Sequence, residues 1–374
     1  MNYIRCYFCS IALAISAGLF SSDAQILHDT LAVNIIREGV RYMYNLELTK
    51  ANEIYAEVGR LYPGHPVNYL LRGITSYWEN YPLLPSSPAR GRFEEDLHKC
   101  IDLCTQKPYS ENYEAESLLT NLCARSLLLL FYNDNDLNMK VIPLAIGTYK
   151  YIMRSFHFES SFHDFKYFTG LYNYYREAYP KLYPIYKPLA ALFPPGNMEK
   201  GLNELSMAAE FSIFLKAESY SILAYICTGF ENNYLQALLY SKTLLGNYPD
   251  NPYFRALHIR NLLILGEYDE AEDLIRDCSE KSKNTFLNAQ VLIYSGIIQE
   301  KKYRNYALAK QYYEEGISAI SFAGDYGNEF SGYAYLGLSR LCEYNDDKAG
   351  RKAYRKKGYE LIDFKKVSFD QPAL

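Results

Sequence analysis

Gly39, Tyr42, Ala51, Tyr55 and Pro63 stand at intervals that only one kind of local structure satisfies. Two helices running in opposite directions approach closely where each offers a small residue, here Gly39 and Ala51. Tyr42 and Tyr55 fill the space beside that crossing. Pro63 closes the second helix, because proline is excluded from a helix interior but tolerated in a first turn. Ten residues further on, Gly73 supplies the small residue of the next unit. A single pair of this kind cannot bury its own apolar face, so such units stack.

The register returns in the second half. Ala237 and Ala271 are 34 residues apart, and Pro249 follows Ala237 by twelve residues as Pro63 follows Ala51. Gly266-Glu267-Tyr268-Asp269-Glu270-Ala271 reads as the turn between paired helices. A later unit carries Gly296, Ala309, Tyr313 and Gly316. The last carries Tyr333, Leu336, Gly337 and Ala349, with Arg340 where an aromatic is expected.

On these residues the chain resembles tetratricopeptide-repeat proteins, over residues 30–78 and 218–360. Phe168-Thr169-Gly170-Leu171 and Gly201-Leu202-Asn203-Glu204-Leu205 are similar to segments of a eukaryotic tetratricopeptide family linked to the mitochondrial outer membrane. The resemblance implies an all-α fold, a right-handed superhelical solenoid of antiparallel helix pairs, with an irregular helical middle. It also implies a role in protein–protein contact. Residues 25–81 and 216–374 are then the two repeat regions, and 82–215 the irregular one.

Residues 1–24 read as a secretory signal. Arg5 gives the positive start, Ile11 to Phe20 the apolar run, and Ser22-Asp23-Ala24 the small residues of a cleavage site. The run is too short to span a bilayer, and its cysteines precede it rather than follow it as in a lipoprotein. The expected location is outside the cytoplasm, periplasmic or secreted, in the manner of Gram-negative bacterial exports, with possible association with an envelope complex. Six cysteines remain after cleavage. Their apolar helical settings predict buried free thiols, and their spacings fit no zinc pattern.

A net charge of −4 gives no basic field for nucleic acid. With 39 Tyr against one Trp, large rings with one polar tip are plentiful, which suits half-exposed grooves between stacked helices. Asn133-Asp134-Asn135-Asp136 lacks the glycine and glutamate of a calcium loop and reads as a turn. His157, His163 and Asp164 read as a loop at a helix junction.

Phe165, Phe168, Tyr172, Tyr175 and Tyr179 recur at three- and four-residue steps, so all five share one helix face. Such a stripe reads first as core and second as a ligand groove. No HExxH, GxSxG, phosphate loop or dinucleotide motif is present, so the reading is non-enzymatic, with no cofactor and no metal. The concave positions of the first helices are apolar: Val33, Ile36 and Val40, then Val67, Leu70, Ile74 and Tyr77. Arg37 and Arg260 are the exceptions. A clamp for acidic C-terminal peptides does not fit. A groove for apolar side chains of a peptide fits better, as does a continuing helix of the same chain.

The candidate binding residues are Tyr69, Tyr77, Trp78, Phe168, Tyr172 and Tyr175. The functional expectation is an extracytoplasmic scaffold for protein–protein interaction. The alternative is a glycan-binding protein resembling the outer-membrane starch-binding helical family. An α/α-toroid hydrolase is a third possibility, against which the open 34-residue period argues.

Overall fold

The computed structural model describes residues 26–106 and 111–369. The signal segment, with its cleavage boundary, lies outside the described residues. Among the described residues there are sixteen α-helices of 14 residues or more and no strand. They pack as eight consecutive pairs, and the solenoid expected from the sequence is the fold.

The first pair is α1 (Thr30–Tyr44) with α2 (Leu48–Leu61). The second is α3 (Pro66–Glu79) with α4 (Arg90–Leu103), joined by the long loop of residues 80–89. The third is α5 (Glu111–Asp134) with α6 (Asn138–Ser155). The fourth is α7 (Phe165–Leu182) with α8 (Met198–Phe211). A proline-rich insertion separates these two. The remaining pairs are α9 (Lys216–Gly229) with α10 (Tyr234–Asn247), and α11 (Pro252–Leu265) with α12 (Tyr268–Lys281). Last come α13 (Thr285–Lys301) with α14 (Tyr306–Ile320), and α15 (Asn328–Tyr344) with α16 (Lys348–Leu361).

Local sequence sets the boundaries. Asp29, Asn251 and Asn284 each accept backbone N–H groups at the start of α1, α11 and α13, satisfying donors that a helix start leaves free. Pro66 and Pro252 occupy first turns. Within pairs, one turn recurs. Leu46, Asp136, Asn232, Gly266, Arg304 and Asp346 all take left-handed backbone conformations between the two helices of a pair. A backbone return follows each: Glu47 N–H to Tyr42 O and Leu137 N–H to Tyr132 O are examples of the shorter form, and Asn233 N–H to Cys227 O and Asn305 N–H to Gln299 O are one residue longer. Only one of the six is glycine. Asp136 belongs to the middle region; of the segment read as a turn, Asn133 and Asp134 end α5 and Asn135 and Asp136 form the turn, and the pairing continues where the sequence loses its register.

The crossings use the predicted small residues. Ala51, Ala237, Ala271 and Ala309 have no exposed surface. A Cβ on Gly39 would stand 2.5 Å from the Tyr55 ring, and one on Gly296 2.7 Å from Tyr313. The Gly170 and Gly201 backbones set the closest approach of α7 and α8, where a Cβ on Gly201 would stand 2.8 Å from the Gly170 carbonyl oxygen. Ala349 does not follow the pattern. It is exposed, and Gly350, one residue later, faces Cys342 instead.

Pairing also explains the distribution of apolar surface. α12 buries a single stripe, Ala271, Ile275 and Cys278, and turns its charges outward. α11 and α13 are buried nearly all round, because neighbours flank them on both sides and the first two pairs close over their inner face. The six described cysteines are free thiols, four of them buried.

Candidate functional site

The interior of the coil is where a repeat protein ordinarily offers a groove. Here the chain fills much of it. Asn251 donates through Nδ2 to the Tyr44 carbonyl (3.0 Å), and Asn284 to the Tyr81 carbonyl (2.8 Å). The Tyr77 and Tyr326 hydroxyls meet at 3.2 Å. These bonds tie the ends of α1 and α3 to α11, α13 and the turn of 3-10 helix before α15. Trp78 sits among them, stacked on Tyr81 at 5.4 Å and edge-on to Tyr44 and Tyr77. Its other neighbours are Tyr253 and Phe254.

Beside this cluster lies a cavity of about 70 Å³. Its walls include Ile36, Val40, Val67, Leu70 and Ile74, the apolar concave positions of the first two units. The opposite wall is supplied by α5 and by Phe214 to Glu218. Of the two occupants the sequence allowed for these positions, the continuing helix of the same chain is the one present.

Two carboxylates border the cavity. Glu116 accepts from Leu27 N–H at 2.7 Å and lies 2.6 Å from His65 Nε2. Because His65 Nδ1 accepts the Val67 N–H at 3.1 Å, the ring proton resides on Nε2 and is donated to Glu116. Tyr44 donates to Glu218 Oε1, while Glu218 Oε2 is buried without a partner. Burial pushes the Glu218 carboxyl up to about 7. Asp164, part of the loop noted in the sequence, gathers the N–H groups of Ile213, Phe214 and Leu215 at 2.8–3.0 Å. It thereby fixes the segment that closes the cavity. His157 and His163 diverge, one against Phe158 and the other against Phe211.

The aromatic stripe of α7 divides along its length. Phe165 and Phe168 are core. Tyr172 is half-buried against Tyr149 and Phe156, and its hydroxyl donates to the Pro194 carbonyl at 2.7 Å. Tyr175 packs on Phe230, and Tyr179 reaches the surface. Tyr69 is half-buried beneath the Arg72 guanidinium at 4.4 Å. Tyr77 is buried. The six candidate binding residues therefore do not converge on one pocket: Tyr77 and Trp78 meet in the interior, and Phe168, Tyr172 and Tyr175 lie on another pair.

Arg260 is buried and engages Glu329 at 3.2 Å, with Tyr333 donating to the same carboxylate. That pairing joins α11 to α15. Neither it nor the Glu116 and Glu218 arrangements carries a signal in the sequence, since the partners are tens to hundreds of residues apart. Compared with known proteins, the chain matches no family model and no curated protein. The fold and this interior define an all-α helical-pair solenoid closed on itself by tyrosine contacts.

Proposed function

We propose that this chain is a non-enzymatic, extracytoplasmic scaffold of tetratricopeptide type that mediates contact between proteins. The reading rests on the repeat architecture, which is a fold-level analogy, and on one observation about surface. With the interior taken by the chain's own rings, partner contact falls to outward faces. On α10, Leu235 and Leu239 stand one turn apart and are exposed, an apolar pair on a face that needs no such residues for folding.

Photo-crosslinking from positions 235 and 239 in exported protein, followed by mass spectrometry of the adducts, tests the proposal. A recurrent protein adduct that is lost in Leu235→Glu/Leu239→Glu supports it. Adducts no different from those of a control surface position refute it. The glycan-binding alternative has less support, because Trp78, the single Trp, is enclosed by other rings rather than presented as a platform.

A further inference from the structure

The exposed apolar surface is densest elsewhere, on α6 and on the insertion after α7. Met139, Ile142 and Ile146 occupy one face of α6, with Met139 89% and Ile146 69% exposed. One turn further along the same face, Tyr149 touches Phe193 of the insertion at 4.8 Å, so the two surfaces are continuous. In the insertion, Ile185 is 83% and Leu192 77% exposed and Leu189 is open as well, and so is Leu182 at the end of α7. Tyr179 and Tyr186 stand at its edge, in contact with each other at 5.8 Å.

The two segments that carry this surface hold only basic charge. Residues 138–155 contain Lys140, Lys150 and Arg154 and no Asp or Glu. Residues 178–198 contain Lys181 and Lys187 and again no Asp or Glu. The chain as a whole has 43 acidic residues against 39 basic ones, so the local bias runs against its average. The neighbouring carboxylates Glu94, Glu114 and Glu177 are engaged by Lys140, Arg154 and Arg176. Asp363 lies beyond Tyr179 and Tyr183, and Asp136 and Glu199 are exposed at the edges of the two segments. Lys150, Lys181 and Lys187 are exposed.

We infer that this face docks on an anionic phospholipid surface. Exposed aliphatic side chains, with tyrosines and lysines beside them, are the groups a bilayer interface takes up. Apolar groups enter the headgroup–acyl boundary, tyrosine rings sit at headgroup depth, and lysines meet lipid phosphates. No helix among the described residues is long and apolar enough to cross a membrane, and docking of this kind needs none.

Co-sedimentation of the purified protein with phosphatidylcholine vesicles, with and without phosphatidylglycerol, tests the inference. Binding should be at least ~10-fold greater with the anionic lipid and should weaken as salt rises. Ile146→Glu/Ile185→Glu and Lys181→Glu/Lys187→Glu should each abolish most of it while the helical circular dichroism and melting temperature persist. If a variant does not fold, hydrogen exchange on the unaltered protein decides: vesicles should protect residues 139–146 and 182–192. Equal binding to neutral vesicles, no binding, protection confined to other faces, or protection of this face only by a soluble acidic protein would each overturn the inference.

Discussion

Arg340 on α15 donates from Nε and Nη2 to the two carboxylate oxygens of Glu300 on α13, at 2.6 and 2.8 Å. Glu300 has no exposed side-chain surface, and Tyr313 donates to it from α14 at 2.7 Å. Arg340 occupies the position where the repeat pattern places an aromatic ring. The departure is thus a substitution of one interhelical contact by another, an ion pair fixing α13, α14 and α15 together. Burial pushes the Glu300 carboxyl up, but the adjacent guanidinium outweighs it and holds the group below the usual glutamate range.

Arg340→Met should therefore cost about 3 kcal/mol, because it takes the guanidinium from a buried carboxylate that keeps only the Tyr313 hydroxyl and the Lys301 ammonium at 3.2 Å. Arg340→Met/Glu300→Gln should cost less than the single change. Urea unfolding midpoints measure both. A double variant weaker than the single one would show that the two residues do not act as a pair. The contribution of Glu300 is present at neutral pH and lost as pH falls through its lowered folded value.

Glu218 has the opposite sign. Its carboxyl is raised by burial to about 7 from an ordinary 4.5, so the folded chain retains a proton that the unfolded chain releases. Stability from this group is fully present below 4.5 and is lost as pH rises through 7. Glu218→Gln keeps an acceptor for the Tyr44 hydroxyl and removes the titration. Its melting temperature should exceed that of the parent above pH 7, and the difference should shrink towards pH 4.5. A difference independent of pH would contradict the assignment.

Ala271 is buried where α12 crosses α11, whereas Glu267 lies exposed in the turn. Ala271→Leu should overpack the crossing and cost roughly 1–3 kcal/mol, while Glu267→Leu should be nearly silent. Thermal unfolding of the two variants side by side distinguishes them, and equal effects would mean the assigned register is wrong.

The recurring left-handed turn offers a test of opposite direction. Leu46 and Arg304 hold φ of 57° and 54° with a side chain in place, a conformation glycine adopts without steric cost. Leu46→Gly and Arg304→Gly should each change stability favourably by up to about 1 kcal/mol, and Gly266→Ala unfavourably by about the same amount. Chemical denaturation of the three variants would expose a turn whose conformation differs from the others.

Along the stripe of α7 the two ends should behave differently. Phe168→Ala should cost about 3–5 kcal/mol, as large aromatic truncations in a core do. Tyr172→Ala should cost less, about 1–2 kcal/mol, since the ring is half-exposed and the main loss is one hydrogen bond to Pro194 and partial packing. Matching losses at both positions would argue that Tyr172 is core in solution.

The residues that set spacing determined the fold by themselves. Gly39, Ala51, Ala237, Ala271 and Gly296 act through contacts with the partner helix of their own pair, a few turns away in sequence, so their pattern is periodic and legible. The caps and first-turn prolines are local for the same reason. In the middle the pairing persists without that pattern, because Gly170 against Gly201 spans an insertion that breaks the period. What closes the coil is not periodic at all. Tyr44 with Glu218, His65 with Glu116, Tyr77 with Tyr326 and Arg260 with Glu329 pair residues whose separation depends on the accumulated rotation of the intervening helix pairs. No sequence interval encodes that rotation, so only the tertiary structure decides that the apolar groove is lined by one part of the chain and covered by another. The exposed aliphatic face was likewise out of reach: Ile146 and Leu205 are equally apolar in the sequence, and only packing leaves one open and the other buried.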